Sequence, residues 1–369
     1  MTTVLFLGGG RDAVSIIQRA VDAGYGITVV DRDLQCPAAA LTDRVLVADV
    51  YDATAVLTAL FYDDPPDAVL CAATDAQITA ARVASKYGLS GQSVDTAVTL
   101  TDKTMFNRVL SSMGVPTPIT YVIHRTRVRD VFESLHSGWW VVKPATGRGA
   151  AGVSRVWVGP GSGPPVEFAR ATFRAWAVNE PAICQPWIEG VQLSTESIVA
   201  EGRILWTAIA ERNYSRLNEF HPYVIEDGST TPVRDHGELH QAVDTTLQRA
   251  VTVLSVKNGT VKGDLVWDGS VTWVIELAAR LSGGGFCTEI IPRVWGIDVP
   301  WLAIRSALGY PLTPNDVVPT TTFAGYVCQR YRFLTKPTRH QDRGSYVLGI
   351  GRTRKTAERR AKKALRRTE

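Results

Sequence analysis

The sequence predicts an α/β and α+β protein: a parallel βαβ domain first, then helices and antiparallel hairpins. Three stretches predict it. An apolar run at 4–7 leads through three glycines and a helical pattern to a second apolar run ending at Asp31. A strand at 139–144 ends in Lys143-Pro144 and passes through a glycine-rich tip into another strand. Residues 262–286 read as a β-hairpin with one carboxylate on each strand.

In the first stretch, VLFL at 4–7 has the continuous apolar pattern of a buried strand. Gly8-Gly9-Gly10, a helix at 12–23 and the strand ITVVD complete a βαβ unit of Rossmann type. GGGRDA departs from GxGxxG because position 13 is alanine, which argues against a dinucleotide site. Strands follow at 44–48 and 68–72, with helices at 53–60 and 76–87. Thr74-Asp75 lies just past a strand's carboxyl end, where such sheets place ligands. Asp75 is equally suited to capping the helix that follows.

A helix opens at 100–103, with Thr101 or Asp102 as its cap, and runs to 113. Val115-Pro116-Thr117-Pro118 is a stiff connector. The strand at 139–144, the tip ATGRGAAG at 145–152 and the strand at 153–158 set backbone N–H groups beside Lys143, an arrangement suited to phosphate oxygens. It is not a P-loop, which places its lysine after the glycines. A loop at 159–165, a helix at 166–178 and a strand at 182–187 follow. The chain around Pro186, Trp187 and Ile188 can receive an adenine ring.

Strands at 192–199 and 203–210 pair around Glu201-Gly202. Residues 213–232 lack periodicity and read as a loop over the site, offering Arg216, Glu219 and His221 beside Arg212. A helix at 237–255 leads into the hairpin. There Asp264 and Glu276 meet at one end, a pair of hard oxygen ligands suited to Mg²⁺. Arg280 and Gly283-Gly284-Gly285 follow, a guanidinium for oxyanions and a loop that permits close approach. A helix at 295–308, strands at 323–334 and 346–351, and a basic helix at 353–367 close the chain.

The net charge of +4 misleads, because residues 352–367 hold nine basic residues and one acidic. The remaining 31 basic and 35 acidic residues leave a mildly acidic body, unlike a nucleic-acid surface. The basic helix is expected to be a solvated face, not a nucleic-acid or membrane contact. Five cysteines without a CxxC pair read as reduced thiols. No apolar run approaches the ~18 residues of a membrane span. Met1 runs directly into a strand, so no signal peptide is expected and the cytoplasm is the expected compartment.

With these parts in order, the sequence resembles the ATP-grasp superfamily, and within it the carboxylate–amine ligases related to biotin carboxylase and D-alanine–D-alanine ligase. The resemblance implies a Rossmann-like first domain at 1–100, a small ATP-grasp subdomain at 101–184 and a large one at 185–369. It implies that Lys103 and Lys143 contact nucleotide phosphates, with Gly147, Arg148, Gly149 and Gly152 in the covering loop. Gln185, Pro186, Trp187 and Ile188 correspond to the adenine hinge, Gln192 to the ribose position, and Glu196 lies further along that strand. Asp264 and Glu276 correspond to the Mg²⁺ carboxylates, for one or two ions with Mn²⁺ as a substitute, and Arg280 to the arginine that stabilises an acyl-phosphate. Substrate contacts are assigned to Asp75, Glu196, Arg212, Arg216, His221, Arg280, Gly283, Gly284 and Gly285.

Three positions depart from the pattern. Gln185 and Gln192 stand where glutamates are usual, and Ala278 stands where a metal-binding asparagine is common. The implied reaction is ATP-dependent joining of a small carboxylate and an amine, with ADP and phosphate as products. Carboxylation through carboxyphosphate is the nearest alternative, and a dinucleotide oxidoreductase or a nucleotide sensor are remoter ones. Neither membrane nor nucleic acid is an expected partner, and a homodimer is left open.

Overall fold

The computed structural model describes residues 1–159, 166–233 and 237–367. The loop expected at 159–165 lies, from residue 160, outside them. Strands β1 (Thr3–Leu7), β2 (Gly26–Asp31), β3 (Arg44–Val47) and β4 (Ala68–Cys71) form a parallel sheet in the order β3-β2-β1-β4. Both faces of β1 are covered, so Val4, Leu5, Phe6 and Leu7 are all fully buried. Strand order reverses between β1 and β4, and their carboxyl ends open onto the cleft described below.

A second sheet contains β5 (Tyr121–Ile123), β6 (Gly138–Pro144), β7 (Ser154–Val158) and β8 (Ala182–Pro186), in the order β5-β8-β6-β7. Helix Val166–Trp176 buries Phe168, Ala171 and Ala175 against it. The third sheet holds β9 (Val191–Ala200), β10 (Arg203–Asn213), β11 (Gly228–Thr231), β12 (Gly259–Trp267), β13 (Thr272–Ala278), β14 (Tyr326–Tyr331) and β15 (Tyr346–Gly351). Its order is β13-β12-β9-β10-β11-β14-β15, antiparallel throughout. Helix Glu238–Val253 packs Leu239, Val243 and Leu247 on one face. On the other, Ile198, Ala208 and Ala210 join a core shared with helices Arg11–Asp22 and Val299–Ala307. That face is apolar where the first domain packs and polar where the cleft begins.

Several elements differ from the sequence expectation. Residues 213–232 contain helix Leu217–Phe220 and strand β11 and are not a plain loop. β11 reads GSTT, without alternation, and is a strand because β10 and β14 pair with it on both sides. The helix expected from residue 100 starts at Lys103, since the Asp102 side chain accepts from the amides of Thr104 and Met105; Val94–Thr101 is a separate helix. The helix expected at 295–308 begins only at Val299, capped by Asp298, and runs to Ala307, while Trp295 ends a separate short helix, Ile291–Trp295. The 115–118 connector is tied down, with Pro116 O accepting from Val274 N (2.9 Å) and Thr117 Oγ1 donating to Val274 O (3.0 Å). All five cysteines are buried and unbridged. Among the described residues, no helix is long and apolar enough to cross a membrane.

Candidate active site

The three sheets enclose a cleft of about 1000 Å³. Its floor is a grid on one face of the third sheet. Antiparallel pairing sets Asp264 opposite both Glu276 and Ser194, and sets Arg212 opposite Ser229. The two hairpin carboxylates therefore stand side by side, as the turn chemistry implied.

Cations surround them. Lys262 Nζ lies 2.5 Å from Asp264 Oδ2, Arg212 Nη1 2.8 Å from Asp264 Oδ1, and Lys103 Nζ 3.6 Å from Glu276 Oε2. Burial opposes ionisation of Asp264, but Arg212 and Lys262 hold its carboxyl well below the usual range. Asp264 Oδ1 is buried and has no hydrogen bond, since the Arg212 contact lacks hydrogen-bond alignment. An ionised, under-coordinated oxygen beside a second carboxylate fits a hard divalent cation completing its shell with phosphate and water.

Lys103 and Lys143 converge on the same space from different elements. Lys103 Nζ donates to Gly147 O (3.3 Å), which ties the glycine tip to the Glu276 carboxylate. Lys143 ends β6, and burial, then the charge of Lys103, pushes its ammonium down to about 8. Gly147, Arg148 and Gly149 line the cleft, and the Arg148 guanidinium stacks 3.2 Å from the Tyr51 ring centroid. The tip is also held by the His340 N–H, which donates to Gly149 O (2.6 Å).

At the hinge, Gln185 Nε2 donates to Thr120 Oγ1 (2.8 Å) and Trp187 N to Trp139 O (2.8 Å). Pro186, Trp187, Ile188 and Gln192 also line the cleft, with Gln192 Nε2 donating to Ile188 O at 3.2 Å. Across the cleft, Arg280 Nε donates to Asp75 Oδ1 (2.6 Å), so Asp75 faces the ligand space and does not cap the following helix, whose N-cap is Ala76. Gly283 and Gly284 form the adjoining wall, and Gly284 N donates to Asp12 Oδ2 (2.9 Å). Gly284 and Gly285 have φ of +65° and +76°, and a Cβ on either would strike the hydroxyl of Tyr331 or Tyr346.

Five predicted residues lie outside the cleft wall. Gly152 packs against helix Val166–Trp176, and Gly285 sits behind Gly284 against Tyr346. Glu196 is fully buried beneath the glycine loop, where its Oε2 accepts from Ser282 N (3.0 Å) and burial pushes its carboxyl up to about 7. Arg216 turns to Glu219 (2.8 Å) and to the rings of Phe220 and Phe333. His221 packs edge-on to Trp139, and its carbonyl accepts from Lys336 Nζ. A short helix draws these last two to the outer surface, which aperiodic sequence could not reveal.

Other cleft residues escaped sequence reasoning. Glu226 bridges the guanidiniums of Arg212 and Arg343, and despite burial these two charges hold its carboxyl down to about 2. Arg343 also lies 4.2 Å from the Tyr331 ring centroid. Lys262, two residues before Asp264, was the detectable one: period-2 spacing puts it on the carboxylate face.

A protein-family model described as an ATP-grasp domain matches residues 100–284. The chain belongs to the ATP-grasp family. It is accordingly an ATP-dependent enzyme of the ligase and carboxylase group, with ATP and Mg²⁺ as cofactors. No curated protein sequence matches it. Among solved structures, the chain is similar to the L-amino acid ligase from Bacillus licheniformis, with TM-score 0.74, 20% identity, and 90% of this chain and 80% of that one covered. It is similar to phosphoribosylglycinamide synthetase from Anaerococcus prevotii (TM-score 0.73, 16% identity, coverage 97% and 96%). The biotin carboxylase–β,γ-ATP complex from Campylobacter jejuni has TM-score 0.71, 14% identity, and coverage of 96% and 89%. At such identities these likenesses establish the shared fold.

Proposed function

We propose that the protein is a carboxylate–amine ligase that joins small substrates, amino acids or short peptide precursors, through an acyl-phosphate. The observation carrying this reading is the placement of Arg280. It is a guanidinium only 13% exposed that lines the cleft, aimed by Asp75 and neighboured by Glu276. Such a group can steady an acid carboxylate for attack on a phosphoryl group and then hold the developing oxyanion.

Mg²⁺ held by Asp264 and Glu276 would draw charge from the terminal phosphates. Lys103 and Lys143 grip phosphate oxygens, while Gly147 and Gly149 let backbone amides close over them. A carboxylate oxygen bonds to the γ-phosphorus as the bond to the ADP oxygen breaks. The amine nitrogen then attacks the acyl carbon and loses its proton, and phosphate leaves with the C–O electron pair. No protein nucleophile takes part.

The test is interception. ATP, Mg²⁺ and the acid alone, with concentrated hydroxylamine, should yield the acid's hydroxamate together with ADP. Amino acids would be screened by ADP release, and products identified by mass. Formation of AMP and pyrophosphate would refute the acyl-phosphate, and a bicarbonate-dependent carboxylated product would replace ligation with carboxylation.

A further inference from the structure

The geometry points to Lys262 as the second positive charge of the metal site, standing where a second divalent ion would otherwise sit. Lys262 and Asp264 are two residues apart on β12, so their side chains share the cleft face. The ammonium lies 2.5 Å from Asp264 Oδ2, on a side chain only 15% exposed. Its cross-strand neighbours are Glu196 on β9 and Ala278 on β13. Glu196 turns its Oε2 to the Ser282 amide, and Ala278 is buried and offers only a methyl group. The small alanine leaves room for the lysine and supplies no oxygen.

Ligands run out at the same place. Among the described residues, no third His, Cys, Asp or Glu joins Asp264 and Glu276 in a group that could hold an ion. Mg²⁺ demands near-octahedral oxygen coordination. Two carboxylates with phosphate and water can complete one such shell. That ion takes the Asp264 Oδ1 left without a hydrogen bond, whereas a second would need Oδ2, where the Lys262 ammonium already sits at 2.5 Å and like charges repel. Lys103 stands beside Glu276 in a similar relation, at 3.6 Å. The site therefore takes one divalent ion, with Lys262 neutralising Asp264 Oδ2 from within the cleft.

This inference rests on the Mg²⁺–ATP site and not on ligation as the reaction, so it is tested by binding. Mn²⁺ is titrated into the full chain with β,γ-methylene-ATP, and free Mn²⁺ is read by electron paramagnetic resonance. The parent should bind one Mn²⁺ per chain. Lys262→Glu, which turns the counter-charge into a ligand, should bind two and show a spin-coupled spectrum. Two ions in the parent, or one in a folded, nucleotide-binding Lys262→Glu protein, would overturn the assignment. If that variant does not fold, Lys262→Gln serves instead. Removing the ammonium should tighten nucleotide-free Mn²⁺ binding about tenfold, and unchanged affinity would sink the idea. Failure to find any amide product would count against the ligase reading and leave the metal count standing.

Discussion

Asp75 accepts a 2.6 Å hydrogen bond from Arg280 across 205 residues of chain. It joins the carboxyl end of the first parallel sheet to the loop leaving the β12–β13 hairpin. Burial disfavours both charges, yet each keeps the other ionised: the Asp75 carboxyl lies below its ordinary range and the Arg280 guanidinium above its own. The first parallel sheet thus contributes one wall of the cleft.

Asp75→Ala should therefore cost about 1–2 kcal/mol in denaturant unfolding, because it removes the partner of a guanidinium only 13% exposed while the open cleft lets water reach it. Asp75→Asn, which retains an acceptor, should cost less but still slow turnover. A depressed carboxylate pKa contributes stability above the unfolded value of 3.8, lost as pH falls through the lower folded value. The gap between parent and Asp75→Asn should accordingly close on acidification below that value. A constant gap would separate the pair from acid stability.

Glu276→Ala should abolish turnover with the thermal transition within a few degrees of the parent. Glu276 stands in the cleft wall, and a metal carboxylate there contributes to ion binding more than to packing. Near-parental turnover would remove the hairpin from catalysis.

Lys143 should make ATP binding pH-dependent. Burial lowers its ammonium from 10.5 to about 8, so charging it costs stability below about pH 8, and that cost is relieved as pH rises toward 10.5. Phosphate oxygens favour the charged form. ATP affinity should fall as pH rises through about 8, with proton uptake on binding there. Calorimetry in buffers of different ionisation enthalpy reads this directly. Lys143→Met should bind ATP weakly and without the pH dependence.

The basic helix Arg354–Arg366 is seated on the third sheet through Ala357 and Ala361, both fully buried. Gly349 makes that seat possible, since a Cβ there would strike the backbone of Ala357 and Ala361. Gly349→Ala should destabilise the protein on the order of 3 kcal/mol by overpacking. The intact protein should bind DNA only weakly at physiological salt. Tight, salt-sensitive binding would instead make the exposed basic face a functional surface.

What the sequence determined by itself is what local pattern encodes. Alternation and glycine turns placed the strands of the first sheet, the β6–β7 hairpin and the β12–β13 hairpin. Asp264 and Glu276 were legible as neighbours because a tight Asp-Gly turn sets the register between them. Tertiary structure decided the rest. GSTT became β11 because two neighbouring strands offered hydrogen bonds, and no local preference in those residues encodes that. Asp75 proved to be a partner of Arg280 and not a helix cap, and Glu196 a buried prop and not a cleft residue. Arg343 reached Glu226 from 117 residues away. Backbone periodicity is written within a few residues, whereas the partner of a buried charge is chosen by proximity in space, which appears only once the sheets have closed around the cleft.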